Sequence, residues 1–413
     1  MKTVMILGAN DGQLPMINIC KKKGFRTIAV SPEGDYPGFK VADKSIYLDT
    51  RDKENILKAA IEEKIDAIVT DQTDVSVGSV AYVAEKLGLP GIGTDTAVRF
   101  SDKYEMRKAA KAAGIYVPDF GEAETVEQAL EITDRIGYPA IMKPIDSSGS
   151  RGVRKISSDE ELISGFDYTK SKSLTGKVIV EQFVVGKEYL ADGFAMDYDY
   201  ITLDVGEKEY FDVKDIYVSK MCMFSSSALA VRDRVMNMVK DTNDRLIKAF
   251  ELPFGITHAE YLYSETEDKV YLVECAARGG GVFLSSDITP NASGFNTNEA
   301  LIDFITEGVK KIPQESELTE KISGWVCFSF PDGEITEISG VEETRNIPGV
   351  DKVILDKIYV GMKTSELVDD SGKYGPVLFT GGSREECYQI LDKIRSTLKI
   401  KVMTDDGEKG AIW

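Results

Sequence analysis

Two carboxylates and an arginine form the most chemically suggestive group in the chain. Glu260 stands in Gly255-Ile256-Thr257-His258-Ala259-Glu260, Glu274 in Tyr271-Leu272-Val273-Glu274-Cys275, and Arg278 in Ala276-Ala277-Arg278-Gly279-Gly280-Gly281. The acids are 14 residues apart, an even separation. A hairpin centred on Glu267, within the polar stretch Ser264-Glu265-Thr266-Glu267-Asp268, would set them opposite each other on adjacent antiparallel strands and on the same face. Like charges so placed repel. A divalent cation removes that cost, and oxygen ligands without histidine favour Mg²⁺ or Mn²⁺, above all one shared with phosphates. Arg278 lies in a glycine-rich turn next to that pair, placed with Gly279 and Gly280 to neutralise a developing anion on a substrate. His258 shares the face of Glu260 by strand alternation and either orients substrate or serves as a hydrogen-bonded structural imidazole. The plain alternative for the two acids is an edge hairpin with both in solvent.

A second group is basic. Lys143 ends the apolar run Ala140-Ile141-Met142, where a buried ammonium needs an anion. Directly after it, Ser147-Ser148-Gly149-Ser150-Arg151-Gly152 supplies small residues whose backbone N–H groups can approach an anion, with Arg151 adding charge. That composition suits a phosphate cradle, though it is not the G-x-x-x-x-G-K-[ST] loop. Lys103, in Ser101-Asp102-Lys103 at a helix start, reads on its own as a surface residue. The chain holds one histidine, which excludes zinc sites built from several and leaves no Ser-His-Asp triad with a G-x-S-x-G turn. Catalysis falls to carboxylates, lysines, arginines and backbone.

The elements that must position these groups follow from periodicity. Strands at 2–8, 25–30, 45–48 and 67–70 alternate with helices at 12–24 and 52–64, the pattern of a parallel sheet ending near Gly93. Gly8-Ala9-Asn10-Asp11-Gly12 lacks the G-x-G-x-x-G spacing and reads as a tight strand-to-helix turn, so a dehydrogenase is remote. Helices at 101–113 and 126–136 precede strands at 140–143, 178–183 and 187–195, the last two expected to pair. A helix at 231–250 leads into hairpin strands at 255–263 and 270–275. Tyr210, Lys214, Tyr217, Lys220 and Met223 either border a pocket or lie in a solvated loop. Strands at 324–330, 333–339, 353–359 and 377–380 with a helix at 384–397 suggest a C-terminal α+β module, and 404–410 a mobile tail.

Composition narrows the partners. Over 413 residues, 69 acidic against 50 basic side chains leave a formal charge of −19, with no basic run that would attract a nucleic acid. The five cysteines, odd in number and without a C-x-x-C pair, fit a reducing cytoplasm. Val4–Leu7 is too short for a signal peptide, and no apolar stretch reaches the ~18 residues of a membrane span. Neither nucleic acid nor membrane is an expected partner.

Taken in order, Ser101-Asp102-Lys103, Tyr138-Pro139 with Lys143-Pro144, the Ser/Gly/Arg loop, Val180-Glu181-Gln182-Phe183-Val184 with Gly186-Lys187-Glu188, and Glu260 with Glu274 resemble the ATP-grasp family over roughly residues 1 to 310. Tyr374-Gly375-Pro376-Val377 followed by Gly381-Gly382-Ser383-Arg384-Glu385-Glu386 resembles the end domains of biotin carboxylase-like members and L-amino-acid ligases. The resemblance implies an α/β and α+β multidomain chain: a Rossmann-like parallel-sheet domain over 1–95, an ATP-grasp domain over 96–313 with a lid at about 121–186, and a C-terminal α+β domain over 314–413. It implies ATP and Mg²⁺ (or Mn²⁺) as cofactors, with Lys103 and Lys143 on the phosphates and the loop from Ser147 through Ser148, Gly149, Ser150, Arg151 and Gly152 folded over them. Glu181 would receive the adenine amino group, Gln182, Phe183 and Val184 would line the base with the backbone of the last two bonding the ring, and Glu188 would hold the ribose. Glu260 and Glu274 would bind the metal, and Arg278 would meet an acyl phosphate or its nucleophile.

The implied activity is ATP-dependent joining of a small-molecule carboxylate to an amine through an acyl phosphate. Its alternatives are a bicarbonate- or formate-activating ligase of purine-pathway type and a non-catalytic ATP-binding protein. Two departures bear on these: Ala276 stands where many members carry Asn, and the loop has serines where several relatives have glycines. The resemblance admits a homodimer, although no feature of the sequence sets the subunit number.

Overall fold

The protein is described from a computed structural model covering residues 1–147, 151–213 and 218–413. The chain divides into two compact units. One comprises Met1–Thr202, Asn237–Gly281 and Asn296–Ile312, the other Leu203–Met236, Val282–Phe295 and Pro313–Trp413.

In the first unit, β1 (Thr3–Leu7), β2 (Arg26–Ser31), β3 (Lys44–Tyr47) and β4 (Ala67–Val69) form a parallel sheet in the order β3-β2-β1-β4. Parallel strands are covered on both faces, and the unbroken apolar run Val4–Leu7 is buried throughout. Helices Lys53–Glu63 and Val77–Leu87 pack Ile56, Ala60, Val83 and Ala84 against it. The turn after β1 needs Gly8: its φ is +101°, and a Cβ there would lie 2.6 Å from the Gln13 side chain.

Helix Lys103–Ala112 starts where Asp102 accepts from the backbone N–H groups of Tyr104 and Glu105, and it buries Lys103, Met106, Arg107 and Ala110 on one face. Strands β5 (Phe120–Ala123), β6 (Ala140–Pro144), β7 (Arg154–Ile156) and β8 (Val178–Gln182) make an antiparallel sheet ordered β5-β8-β6-β7. Helices Val126–Ile136, opened by a Thr125/Gln128 capping box, and Asp159–Lys170 cover one face of it.

β9 (Lys187–Met196) departs from expectation, since it does not pair with β8. Both edges of β8 are already bonded, to β5 and to β6, so its ladder has no room for a third strand. The next strand, β10 (Asp199–Tyr210), carries the chain into the second unit, where β11 (Ser219–Ser226) follows. Back in the first unit, β12 (Phe254–Ser264) pairs antiparallel with both β9 and β13 (Lys269–Ala276). Tyr210, Lys220 and Met223 therefore belong to strands and not to a solvated loop, with Met223 buried; Lys214 and Tyr217 lie outside the described residues.

In the second unit β10, β11, β14 (Ile322–Phe328), β18 (Tyr374–Gly381) and β16 (Val350–Val353) follow one another as β10-β11-β14-β18-β16. A further sheet runs β17 (Lys363–Thr364), β15 (Gly333–Ser339), β19 (Lys399–Thr404), β20 (Gly407–Gly410). Helix Arg384–Thr397 buries Cys387, Ile390, Leu391 and Ile394 against Phe328, Val377 and Phe379. Two expectations fail here. The strand expected at 353–359 ends at Val353, where the polar residues Asp356 and Lys357 begin a turn. The expected tail is a hairpin, because Gly407 at φ +111° lets β20 fold back onto β19. All five cysteines are buried, and among the described residues no helix is long and apolar enough to cross a membrane.

Helix Arg234–Ala249 ties itself to the strands of the first unit through Asn243, which is fully buried. Its amide donates to Tyr200 Oη (2.8 Å) and Thr202 Oγ1 (2.9 Å), and its oxygen accepts from Tyr261 Oη (2.8 Å). Asn243→Ala strands buried hydroxyls and opens a cavity, so urea unfolding should show a loss of about 2–4 kcal/mol.

Candidate active site

The hairpin register places Glu260 directly across from Glu274. The turn itself sets Ser264 against Lys269, a register that, continued without interruption, would bring Val273 opposite Glu260. The pairing shifts between Glu260 and Tyr261, so Val273 is the extra residue of a bulge and Glu274 moves into place. Both glutamate side chains are about 30% exposed (30% and 31%), open to a ligand. Oxygen donors paired on one face fit a hard divalent cation.

Lys103 is buried, and its Nζ donates to Glu274 Oε1 (2.9 Å) and to the Ser147 carbonyl (2.7 Å). Far from the surface placement its own surroundings in the sequence suggest, it joins Glu274 to the start of the small-residue loop. Lys143 meets a carboxylate of the protein. On β6 it pairs with Ile179, while Glu181 on β8 pairs with Ile141, so the two side chains are diagonal neighbours on one face. Their ions meet at 2.7 Å. Glu181 is also gripped by Arg107, whose Nε donates to Oε1 (2.6 Å) and whose Nη2 donates to the carbonyl of the bulged Val273 (2.6 Å). Burial pushes the Glu181 carboxyl up, but Arg107 and Lys143 outweigh it and hold the group down to about 2. Both oxygens of Glu181 are thus engaged by cations of the protein.

Arg278 is held by Asp74, with Nε donating to Oδ1 and Nη2 to Oδ2, each at 2.8 Å. The next residue donates from its backbone, Gly279 N–H to Asp71 Oδ1 at 2.8 Å. His258 lies against Asp192, its partner across the β9–β12 ladder: Nδ1 is 3.0 Å from Asp192 Oδ1, and Nε2 is 3.7 Å from Glu260 Oε1. Burial disfavours the imidazolium, yet Asp192 and then Glu260 raise its pKa to about 9. Asp74 is pulled below the ordinary carboxyl range against its own burial, first by Arg278, then by Lys103 and His258. The expected residues Lys103, Glu260, Glu274, His258 and Arg278 therefore share one electrostatic neighbourhood.

Of the loop, Ser147 and Gly152 are described. Ser147 accepts from Lys103, and Gly152, at φ +79°, accepts from the Thr169 hydroxyl at 2.8 Å. Arg151 is exposed; Ser148, Gly149 and Ser150 lie outside the described residues. In the segment expected to line the base, the N–H groups of Gln182 and Phe183 are already committed to the Asp119 and Pro139 carbonyls (2.8 and 3.2 Å). Lys155 Nζ sits 4.0 Å from the Phe183 ring centroid. Glu188, on β9, pairs with Leu262 of β12 and is half-buried.

Sequence reasoning missed Asp71, Asp74, Arg107 and Asp192. Signals for three of them existed. Asp71-Gln72-Thr73-Asp74 follows β4 at the carboxyl end of a parallel sheet, where open α/β folds place ligands. Arg107 stands four residues after Lys103, one helical turn along the same face.

Residues 136–286 match the family model described as ATP-grasp domain, and residues 326–403 match L-amino acid ligase C-terminal domain 2. The chain carries an ATP-grasp domain. The protein y4rH of Sinorhizobium fredii is 26% identical over 346 residues, covering 79% of this chain and 66% of that protein. A formate-dependent phosphoribosylglycinamide formyltransferase of Methanococcus maripaludis is 30% identical over 188 residues, 44% of this chain and 48% of the enzyme. The chain thus spans just under two thirds of the first relative and about half of the second. The crystal structure of L-amino acid ligase from Bacillus licheniformis superimposes with a TM-score of 0.78 at 19% identity, over 98% of this chain and 99% of that one. The ATP-grasp fold expected from the sequence motifs, with its parallel N-terminal sheet and antiparallel sheets, is the one observed.

Because the ATP-grasp chain contains a single histidine, the protonation of His258 can be read without interference. Imidazole ¹⁵N NMR should give one titration with a midpoint near 9. The folded-state value lies above the ordinary 6.5, so the stabilisation is fully present below pH 6.5 and is lost as pH rises through 9. In Asp192→Asn the midpoint should fall toward neutrality, and a midpoint unchanged from the parent's would remove Asp192 as the cause.

Proposed function

We propose that the protein is an ADP-forming carboxylate–amine ligase. A substrate carboxylate oxygen attacks the γ-phosphorus of ATP, ADP departs, and an amine then attacks the acyl carbon and expels phosphate to form an amide. The observation that carries this reading is the pairing of Glu260 with Glu274 across the hairpin, within reach of the charges of Lys103 and Arg278.

In this reading Glu260 and Glu274 hold Mg²⁺ or Mn²⁺. Such an ion, when bound, supplies charge neutralisation at the phosphates. Lys103 and Lys143 contact phosphate oxygens, Lys143 from the position that Glu181 gives it, and Ser147, Arg151 and Gly152 frame the cradle. Since the Glu181 oxygens are occupied by Arg107 and Lys143, and the Gln182 and Phe183 N–H groups by the Asp119 and Pro139 carbonyls, the base falls to the remaining backbone groups of Phe183 and Val184, and the ribose to Glu188. Arg278, with Gly279 and Gly280, receives the negative charge that grows on the acyl phosphate. His258 touches Glu260 and steadies it from behind. Closure of the lid over 121–186 would exclude water, which would otherwise hydrolyse the acyl phosphate.

A second reading is favoured by the formate-dependent relatives: formate or bicarbonate as the activated carboxylate. The match to an L-amino acid ligase C-terminal domain supports an amino acid instead. Phosphate release from Mg-ATP, measured with L-amino acids, formate and bicarbonate in separate pools, distinguishes them by which compound stimulates turnover. Tight ATP binding with no stimulation by any carboxylate and amine would overturn the ligase reading in favour of a nucleotide-binding protein. With the stimulating compound in hand, Glu274→Gln should lower phosphate release by at least about 100-fold. Release at the parental rate would remove Glu274 from the metal site.

A further inference from the structure

The Arg278 side chain is 13% exposed, and its guanidinium carries five N–H donors. Asp74 takes one from Nε and one from Nη2, and the Gly279 carbonyl takes one from Nη1 at 2.9 Å. Among the described residues these leave two N–H bonds, one on each terminal nitrogen. On another side Arg278 borders a cavity of about 50 Å³ whose lining side chains include Val77, Val80, Ile92, Ile256, Leu301 and Ile305. Among the described residues, Thr70 is the one polar side chain besides Arg278 that lines that cavity. An apolar wall of this kind offers the guanidinium no alternative acceptor and strengthens its attraction to Asp74.

The aspartate is itself fixed. Its carbonyl accepts from Val77 N–H (3.1 Å) at the start of helix Val77–Leu87, and Asp71, three residues earlier, holds the Gly279 N–H while its own carbonyl accepts from Gln13 Nε2 (2.5 Å). The loop after β4 therefore grips two consecutive residues of the Arg278 turn, one by side chain and one by backbone.

We infer that Asp74 is a positioning residue: it clamps Arg278 in a fork and aims the two remaining N–H groups at the substrate oxygens, so that the loop after β4 sets the reaction geometry without touching substrate. This rests on the ligase reading for what Arg278 does and on the ion pair alone for how it is held. A carboxylate in this place also discriminates among ligands. It leaves Arg278 enough donors for one carboxylate or phosphate edge, and it repels an anion that approaches from its own side.

Two measurements separate the clamp from the ligase reading. In the first, phenylglyoxal labelling of Arg278 is followed by peptide mass mapping, which requires no turnover. Labelling should be slow in the parent and in Asp74→Glu, and about 10-fold faster in Asp74→Ala, the release expected on losing one half of a partly buried hydrogen-bonded charge pair. Equal rates in parent and Ala variant would overturn the clamp. In the second, kinetics use the compound that gave the highest phosphate release, with melting temperature confirming the folded state. Asp74→Asn, which keeps the shape but loses the charge, should lower kcat about 10- to 100-fold with the KM for ATP unchanged, and Asp74→Glu should recover part of it. A folded Asn variant with parental kcat would show that Asp74 only stabilises the fold. If no compound stimulates the parent, the ligase reading fails and the labelling result alone decides the clamp.

Discussion

A charge taken out of water must meet an opposite charge, and in the first unit four such meetings join segments far apart in sequence. Arg107 reaches Glu181, Lys103 reaches Glu274, His258 reaches Asp192, and Arg278 reaches Asp74, separations of 74, 171, 66 and 204 residues. Replacing such pairs with apolar residues is often harmless to stability, whereas removing one partner costs about 3–5 kcal/mol because the other charge is left stranded. What the pairs provide is a geometry with few alternatives. A helix, two sheets and a loop cannot shift against one another without parting at least one of them.

The same pairs set the electrostatic character of the proposed site. Around Arg278 and His258, the acids Asp71, Asp74, Asp192, Glu260 and Glu274 outnumber the bases Lys103, Arg278 and His258. That balance accepts a dication better than a bare polyanion. Under the ligase reading, a nucleotide arriving with its metal would bring positive charge to the two acids while its phosphates met the lysines, so that metal and nucleotide would favour each other's binding. The chain as a whole is strongly acidic, and its local pairing is what makes an anionic ligand tolerable here.

Much of this was legible in the sequence where one physical rule acted alone. Helix Val126–Ile136 begins at a capping box, and the hairpin acids stand at an even spacing across a polar turn. Illegible parts arose where two rules competed or where a partner lay far along the chain. The partner of β9 depended on β8 having both edges filled, which is a property of the assembled sheet. Strand β10 mixes Asp204, Glu207, Lys208 and Glu209 with apolar residues, so charge masked its extended run. The place of Asp74 after β4 marks its loop, but nothing in the sequence names Arg278 as its partner, and only the fold brings the two together. For Glu181 the family pattern suggested a base contact, while the folded protein occupies its oxygens with Arg107 and Lys143.

Arg107 deserves a role of its own in that account, because it acts on both halves of the proposed site at once. Its Nε fixes the carboxylate that holds Lys143, and its Nη2 binds the carbonyl of Val273, the bulged residue next to Glu274. A bulge leaves its extra residue outside the ladder, so that carbonyl needs a donor from elsewhere. Lys103 lies one helical turn before Arg107 on the same buried face and bonds Glu274 directly. A single short helix, started by Asp102, therefore presents two cations four residues apart, one to Glu274 and the other to the acid that seats the second lysine. The spacing between the two lysines and the paired glutamates is consequently a property of one rigid element and not of the loops around it. That is why charged groups carried on three different strands can keep a fixed separation.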